Sequence, residues 1–246
     1  MRAILTFHSI DDSGSVLAYR PRLFSTLLQQ LGKLGIPVLD LDTLLAPATK
    51  HGIAITFDDG MQSVHRHALP ALMEHNAPAH LFVATGAIGS ETPWPLNPCD
   101  GHTFPMLSWE ELEALQAGGV RIESHTHNHP DMRTLPVDRM EAECDQADSL
   151  IEQRLGRRPR YFAYPYGYHN RSVREFAGKR YTGTVTTELR SLGVNNDMAA
   201  LPRLDSYYLQ THGMIRNLDT LRVRGYLALR NTMRNWRGSQ CRSNCN

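Results

Sequence analysis

The feature that most constrains this chain is a repeated switch between two hydrophobic periods. Short runs rich in β-branched and aromatic residues recur at Ala3–Phe7, Pro37–Leu41, Ile53–Phe57, Ala79–Ala84, Val120–Ser124, Tyr161–Tyr164, Thr182–Thr186 and, more weakly patterned, Ala200–Leu204. Between them lie stretches with helical periodicity at Arg22–Leu34, Met61–His75, Ser108–Gln116, Asp138–Leu155 and Ser172–Ala177. Ser108 and Glu111 have the spacing of a capping box at one helix start. Strands that alternate with helices pair in parallel through right-handed crossovers. Seven or eight such units predict a single α/β domain, a distorted (β/α)7-8 barrel. An open doubly wound sheet is the second architecture that the pattern allows. No glycine-rich phosphate loop follows the first run, which weighs against a nucleotide site.

Composition narrows the class further. A chain of 246 residues that is 41% hydrophobic can bury a substantial core. Its formal charge of +1 excludes the strongly basic balance of ordinary nucleic-acid binders, so no nucleic-acid partner is expected. No run approaches the roughly 18 apolar residues needed to cross a bilayer. Met1–His8 reads as a strand rather than a signal peptide, and the expectation is a cytoplasmic protein. The four cysteines, Cys99, Cys144, Cys241 and Cys245, show no C-x2-C spacing. They read as free thiols, with a Cys241–Cys245 tail disulfide as the alternative.

Three polar clusters each follow a predicted strand, where a barrel gathers its chemistry. The first is Thr56-Phe57-Asp58-Asp59-Gly60. Neighbouring residues of a regular strand point to opposite faces, so both acids reach one site only through a turn, which Gly60 permits. Two adjacent carboxylates repel unless a cation lies beside them. A helix cap by Asp58 or Asp59 is the plainer explanation. The second is Ser124-His125-Thr126-His127-Asn128-His129-Pro130. In a helical turn His125 and His129 share a side, and with one carboxylate they make the two-nitrogen, one-oxygen set of an open catalytic metal site. His127 points elsewhere. The third is Arg160-Tyr161-Phe162-Ala163-Tyr164-Pro165-Tyr166-Gly167, which ends in a rigid turn able to aim an N–H inward. An aromatic core strand is equally consistent with it.

Together, T-F-D-D-G, H-T-x-x-H and F-A-Y-P-Y-G resemble the polysaccharide deacetylase family (carbohydrate esterase family four), across roughly residues 2–205. The resemblance implies a distorted barrel and a metal-dependent N-deacetylase acting on an N-acetylated amino sugar. It implies Asp58 as general base, Asp59, His125 and His129 as ligands of a divalent ion, most simply Zn2+ with Co2+, Ni2+ or Fe2+ as alternatives, and the Tyr166 N–H in an oxyanion hole. Tyr164 and Pro165 flank that turn as candidate substrate contacts. Many relatives carry an arginine at the position of Ala163 that orients the base, and Arg203 is the candidate replacement. The usual fourth and fifth motifs are absent, so His212 is only a stand-in for the acid that protonates the leaving amine. His8 resembles a pocket position of the biofilm-polysaccharide branch.

Residues 85–107 form a long connection carrying Trp94, Asn97, His102 and Phe104. Trp94, Phe104 and Trp109 are candidates for an aromatic platform under a sugar ring, with Trp109, near a helix start, equally readable as core. The barrel is expected over residues 1–213, followed by a basic tail over 214–246 with seven arginines and one acid, Asp219. Tyr226, Leu229, Met233 and Trp236 suggest an amphipathic helix, either docked on the barrel or resting peripherally on an anionic membrane. For a cytoplasmic enzyme the expected substrates are soluble oligosaccharides, nucleotide sugars or lipid-linked glycan precursors. The competing functions are a related amidohydrolase (cyclic ureide or deformylase type), a non-catalytic glycan binder and a non-haem iron oxygenase.

Overall fold

The structure, a computed structural model, describes residues 1–92, 102–210, 220, 223, 225–227 and 229–232. Seven strands form one parallel sheet: β1 (Arg2–Phe7), β2 (Gly52–Phe57), β3 (Ala79–Val83), β4 (Val120–Ser124), β5 (Tyr161–Ala163), β6 (Gly183–Val185) and β7 (Leu204–Asp205). Their order is β6-β5-β4-β3-β2-β1-β7, a distorted α/β barrel as the alternation predicts.

Residue alternation separates two cores. Ala3, Leu5, Phe7, Ile53, Ile55, Phe57, Leu81 and Val83 join a cluster beneath α1 (Pro21–Lys33), α3 (Leu69–Glu74) and α4 (Trp109–Ala117). The alternate residues Ile4, Ala54, Phe82, Tyr161, Ala163 and Val185 fill the barrel interior. Helix α1 has no side-chain cap at Arg20; Phe24, Leu27, Leu28 and Leu31, buried at about 2 kcal/mol each, hold it in place. The helices α5 (Val137–Leu155) and α6 (Arg171–Arg180) cover the outer face of β5 with Met140, Cys144, Val173 and Ala177. The capping box at Ser108 and Glu111 is formed.

The ring is closed by a short segment rather than a full strand. Leu201 bridges Val185 of β6, and its backbone bonds Thr184 and Thr186. Three residues later Leu204 pairs with Leu5 of β1. Pro202 has no N–H to continue a ladder, so residues 201–205 lean on β6 at one end and β1 at the other. The expected strand at Ala200–Leu204 is thereby shortened and displaced to Leu204–Asp205.

Two other expectations are corrected. Pro37–Leu41 is not a strand: Val38 makes an isolated bridge to Ile53, and Asp40 caps α2 (Leu41–Leu45), accepting from the Thr43 N–H at 3.1 Å. The Asp cap outweighs the apolar run. The helix expected over 61–75 begins as a π-helical turn at Val64–Ala68 and becomes α-helical only in α3, where Pro70 lacks the N–H that a continuous helix needs.

Helix α2 forms the barrel floor. Asp42 accepts from Arg121 Nη1 (2.9 Å), Arg160 Nη1 (2.6 Å) and the Tyr161 hydroxyl (2.7 Å). Beyond β7, Val223 and Leu227 join the outer core with Leu189 and Leu209, while Tyr226 and Leu229 are exposed. Among the described residues no helix is long and apolar enough to cross a membrane. Trp94, Asn97, Cys99, His212, Met233, Trp236, Cys241 and Cys245 lie outside the described residues.

Candidate active site

The site stands at the C-terminal ends of β1, β2, β4 and β5, opposite the α2 floor. Asp58 continues the inward column of Ala54 and Thr56. Asp59 reaches the same centre because the backbone turns there, with φ of 71° at Asp59 and 94° at Gly60. At Gly60 a Cβ would also meet Val83 Cγ2 at 2.8 Å, so only glycine fits the turn. On the opposite wall the chain after β4 turns sharply, with φ of 66° at Thr126 and 55° at His129. Thr126 Oγ1 accepts the His129 N–H at 3.0 Å, and Glu143 of α5 accepts the N–H groups of His127 and Asn128. Among the described residues, four of the five non-glycine positions with positive φ, Asp59, Thr126, His129 and Tyr166, lie at this mouth; strain concentrated in this way marks a functional constellation.

Asp59, His125 and His129 are buried and aim one donor atom each at a common point. The His125–His129 Nε2 separation is 3.2 Å, and Asp59 Oδ1 lies 3.3 Å and 3.5 Å from the two nitrogens. Bond lengths of about 2.0–2.1 Å in a tetrahedral zinc shell put neighbouring ligand atoms about 3.3 Å apart, so the triangle has the size such an ion requires. His125 Nδ1 lies 2.7 Å from the Ala163 carbonyl, which accepts only, so the proton sits on Nδ1 and the Nε2 lone pair faces the centre. Burial, reinforced by His125, pushes the His129 pKa down to about 3 and leaves a neutral imidazole, the form that ligates metal. Burial alone would raise Asp59, but the surrounding imidazoles, His125 first, hold it well below the usual carboxylate range.

Beside this triangle lies a buried ion pair. Arg203 Nη1 and Nη2 grip Asp58 Oδ1 and Oδ2 at 2.7 and 2.5 Å, Nη1 also reaches Thr56 Oγ1, and Nε donates to the Thr186 carbonyl at 2.9 Å. Both side chains are within 4% of full burial. Desolvation pushes the Asp58 pKa up, yet the guanidinium outweighs it and keeps the carboxyl below its ordinary value. Arg203 takes this place because the closing segment carries it between β6 and β1.

The remaining candidates divide. His8 acts electrostatically on Asp58 and Asp59 from the end of β1. Tyr166, with φ 59°, presents its ring edge-on to His129, centroids 4.5 Å apart, while the turn's own hydrogen bonds use the N–H groups of Gly167 and Tyr168. Pro165 is buried beneath it. His127 points away, bonded to Thr85 and Gln146. Tyr164 is corrected from substrate contact to core residue: it faces outward with Phe162, and its hydroxyl donates to the Ala199 carbonyl at 2.9 Å. Phe104 and Trp109 likewise leave the aromatic platform. Phe104 packs with Met61, Ala84, Ala87 and Met106, and Trp109 lies against the outer core. Glu143 and the Ala163 carbonyl are the site groups that the sequence did not single out.

The family model for polysaccharide deacetylase matches residues 46–182. The chain is similar to the Bacillus subtilis protein YxkH, 26% identical over 208 residues that cover 82% of this chain and 70% of that one. It is also similar to the poly-beta-1,6-N-acetyl-D-glucosamine N-deacetylase of Staphylococcus aureus, 26% identical over 170 residues, 63% of this chain and 54% of that protein. The chain thus spans about half the length of the staphylococcal enzyme. The solved structure of IcaB from Ammonifex degensii superposes with a TM-score of 0.73 at 26% identity, covering 88% of this chain and 94% of that one. With that model matching more than half of its residues, this chain belongs to the polysaccharide deacetylase family.

Proposed function

We propose that the protein is a metal-dependent N-deacetylase that hydrolyses the acetamido group of an N-acetylated amino sugar. The observation that carries the reading is the adjacency of a zinc-sized Asp59–His125–His129 triangle and an ionised, arginine-held Asp58. The triad would hold one divalent cation, most simply Zn2+, which when bound polarises the amide carbonyl and acidifies water. Asp58 accepts the proton of the attacking water. Arg203 keeps Asp58 ionised and fixes its plane. The Tyr166 N–H would donate to the oxyanion as the carbonyl carbon becomes tetrahedral, a contribution of about 3 kcal/mol in comparable sites. His8 would contact the sugar at the rim. The acid that protonates the leaving amine is assigned to His212 from the sequence alone.

Among substrates, the likeness to the staphylococcal deacetylase favours an N-acetylglucosamine oligomer or polymer. The test is acetate release from N-acetylglucosamine oligomers by chelator-stripped protein with and without added Zn2+ or Co2+. Metal-dependent release is expected, and equal release by stripped protein would overturn the reading. A peripheral contact with an anionic membrane is a further part of the proposal, favoured by exposed Tyr226 and Leu229 beside Arg230. Sedimentation with anionic vesicles should fall when residues 214–246 are removed, and unchanged partitioning would end that idea.

A further inference from the structure

We infer that Glu123 is a positioning residue for the metal centre, acting through His125. The inference rests on the cation site proposed above. Strands β4 and β5 share a single register pair, Ser124 with Phe162, at their upper ends. Below it the strands are joined by a side chain: Glu123 Oε2 accepts the N–H groups of Arg160 and Tyr161 at 2.8 and 2.9 Å. The other oxygen, Oε1, lies 3.1 Å from Nδ1 of the fully buried His80. His80 Nε2 accepts the Leu41 N–H at 3.0 Å, so its proton sits on Nδ1 and is donated to Glu123. The carboxylate is thereby satisfied by three donors in a nearly dry setting.

The consequence lies two residues up each strand. Tyr161 is two residues before Ala163, and Glu123 is two before His125. The contact between the Ala163 carbonyl and His125 Nδ1 closes a loop of which the Glu123 bonds are the other side. Glu123 therefore sets the offset of β5 along β4, and that offset decides whether the Ala163 carbonyl meets His125 and turns its Nε2 towards the ion. A purely structural carboxylate would change stability alone. A positioning one changes metal affinity in protein that is still folded.

The experiment measures Zn2+ and Co2+ affinity by calorimetry on full-length protein, well below the unfolding temperature, for wild type, E123Q, H80A and L28A. Leu28 is equally buried, lies on α1 in the outer core, and makes none of the hydrogen bonds of the loop just described. Disruption of such outer partners typically weakens metal binding tenfold or more, and E123Q is expected to lose about tenfold with an altered Co2+ absorption spectrum. H80A should shift in the same direction by less, and it serves as the deciding variant should E123Q not fold. L28A should lower stability and leave affinity unchanged. Wild-type affinity and spectrum in folded E123Q, or in H80A in its place, would overturn the inference. Absence of metal binding in the wild type would instead strike the cation site itself.

Discussion

The two ends of the barrel use the same chemistry in opposite ways. At the floor, Asp42 meets Arg121 and Arg160 with its side chain 30% exposed, so water shares and screens the charges. At the mouth, Asp58 and Arg203 meet in a nearly dry interior, with every guanidinium contact aimed. Exposed pairs contribute little because solvent screens them and side-chain entropy opposes them. A buried pair gains little net stability over apolar packing, but it becomes expensive once either partner is lost. The floor tolerates change; the mouth stores a cost in exchange for one fixed carboxylate.

The widest separation between the two ends should appear in catalysis. D58N should retain metal while acetate release falls by about a hundred- to ten-thousandfold, as is typical on loss of a general base. Full activity in D58N would remove Asp58 from the chemistry. Next in size is stability: R203M strands a buried carboxylate and should cost roughly 3–5 kcal/mol in urea unfolding. The double variant R203M/D58N should recover much of it. The acid limb sharpens the same point. The native Asp58 pKa is lowered, so its contribution is complete above the unfolded value of about 4 and is lost as pH falls through the native one. Wild type should therefore lose stability in acid more steeply than the double variant. The smallest effect belongs to the floor, where D42N should cost less than about 1 kcal/mol. A cost at Asp42 equal to that at Arg203 would erase the contrast.

Legibility in the sequence follows the range of the interactions. The β-strands could be read because period-two apolar runs are local, and the family motifs because each is contiguous. Residues 37–41 were read as a strand and α2, which starts at the last of them, was missed, because five residues carry too few periods to tell helix from strand, and only Asp40 signalled the cap. Tyr164 and Phe104 went to the wrong surface because aromaticity does not reveal facing, and for the same reason Trp109 was left open between platform and core. Tyr164 stands one position beyond Ala163 and so points to the outer helices. Arg203 could be named only as a charge missing elsewhere. Glu123 and Glu143 were invisible because their partners, two backbone N–H groups and one side chain each, are brought near only in the folded chain.

The segment that closes the ring also carries Arg203, 145 residues along the chain from the carboxylate it grips. An emerging polypeptide therefore holds its two adjacent acids without their counter-charge until almost the whole barrel has been synthesised. Contacts so distant in sequence form late, after a large loss of chain freedom. The Asp58 carboxylate gains its partner in the same event that seals the cylinder, so an unfinished or nicked chain lacking that stretch would keep Asp59, His125 and His129 and still have no arginine to hold Asp58.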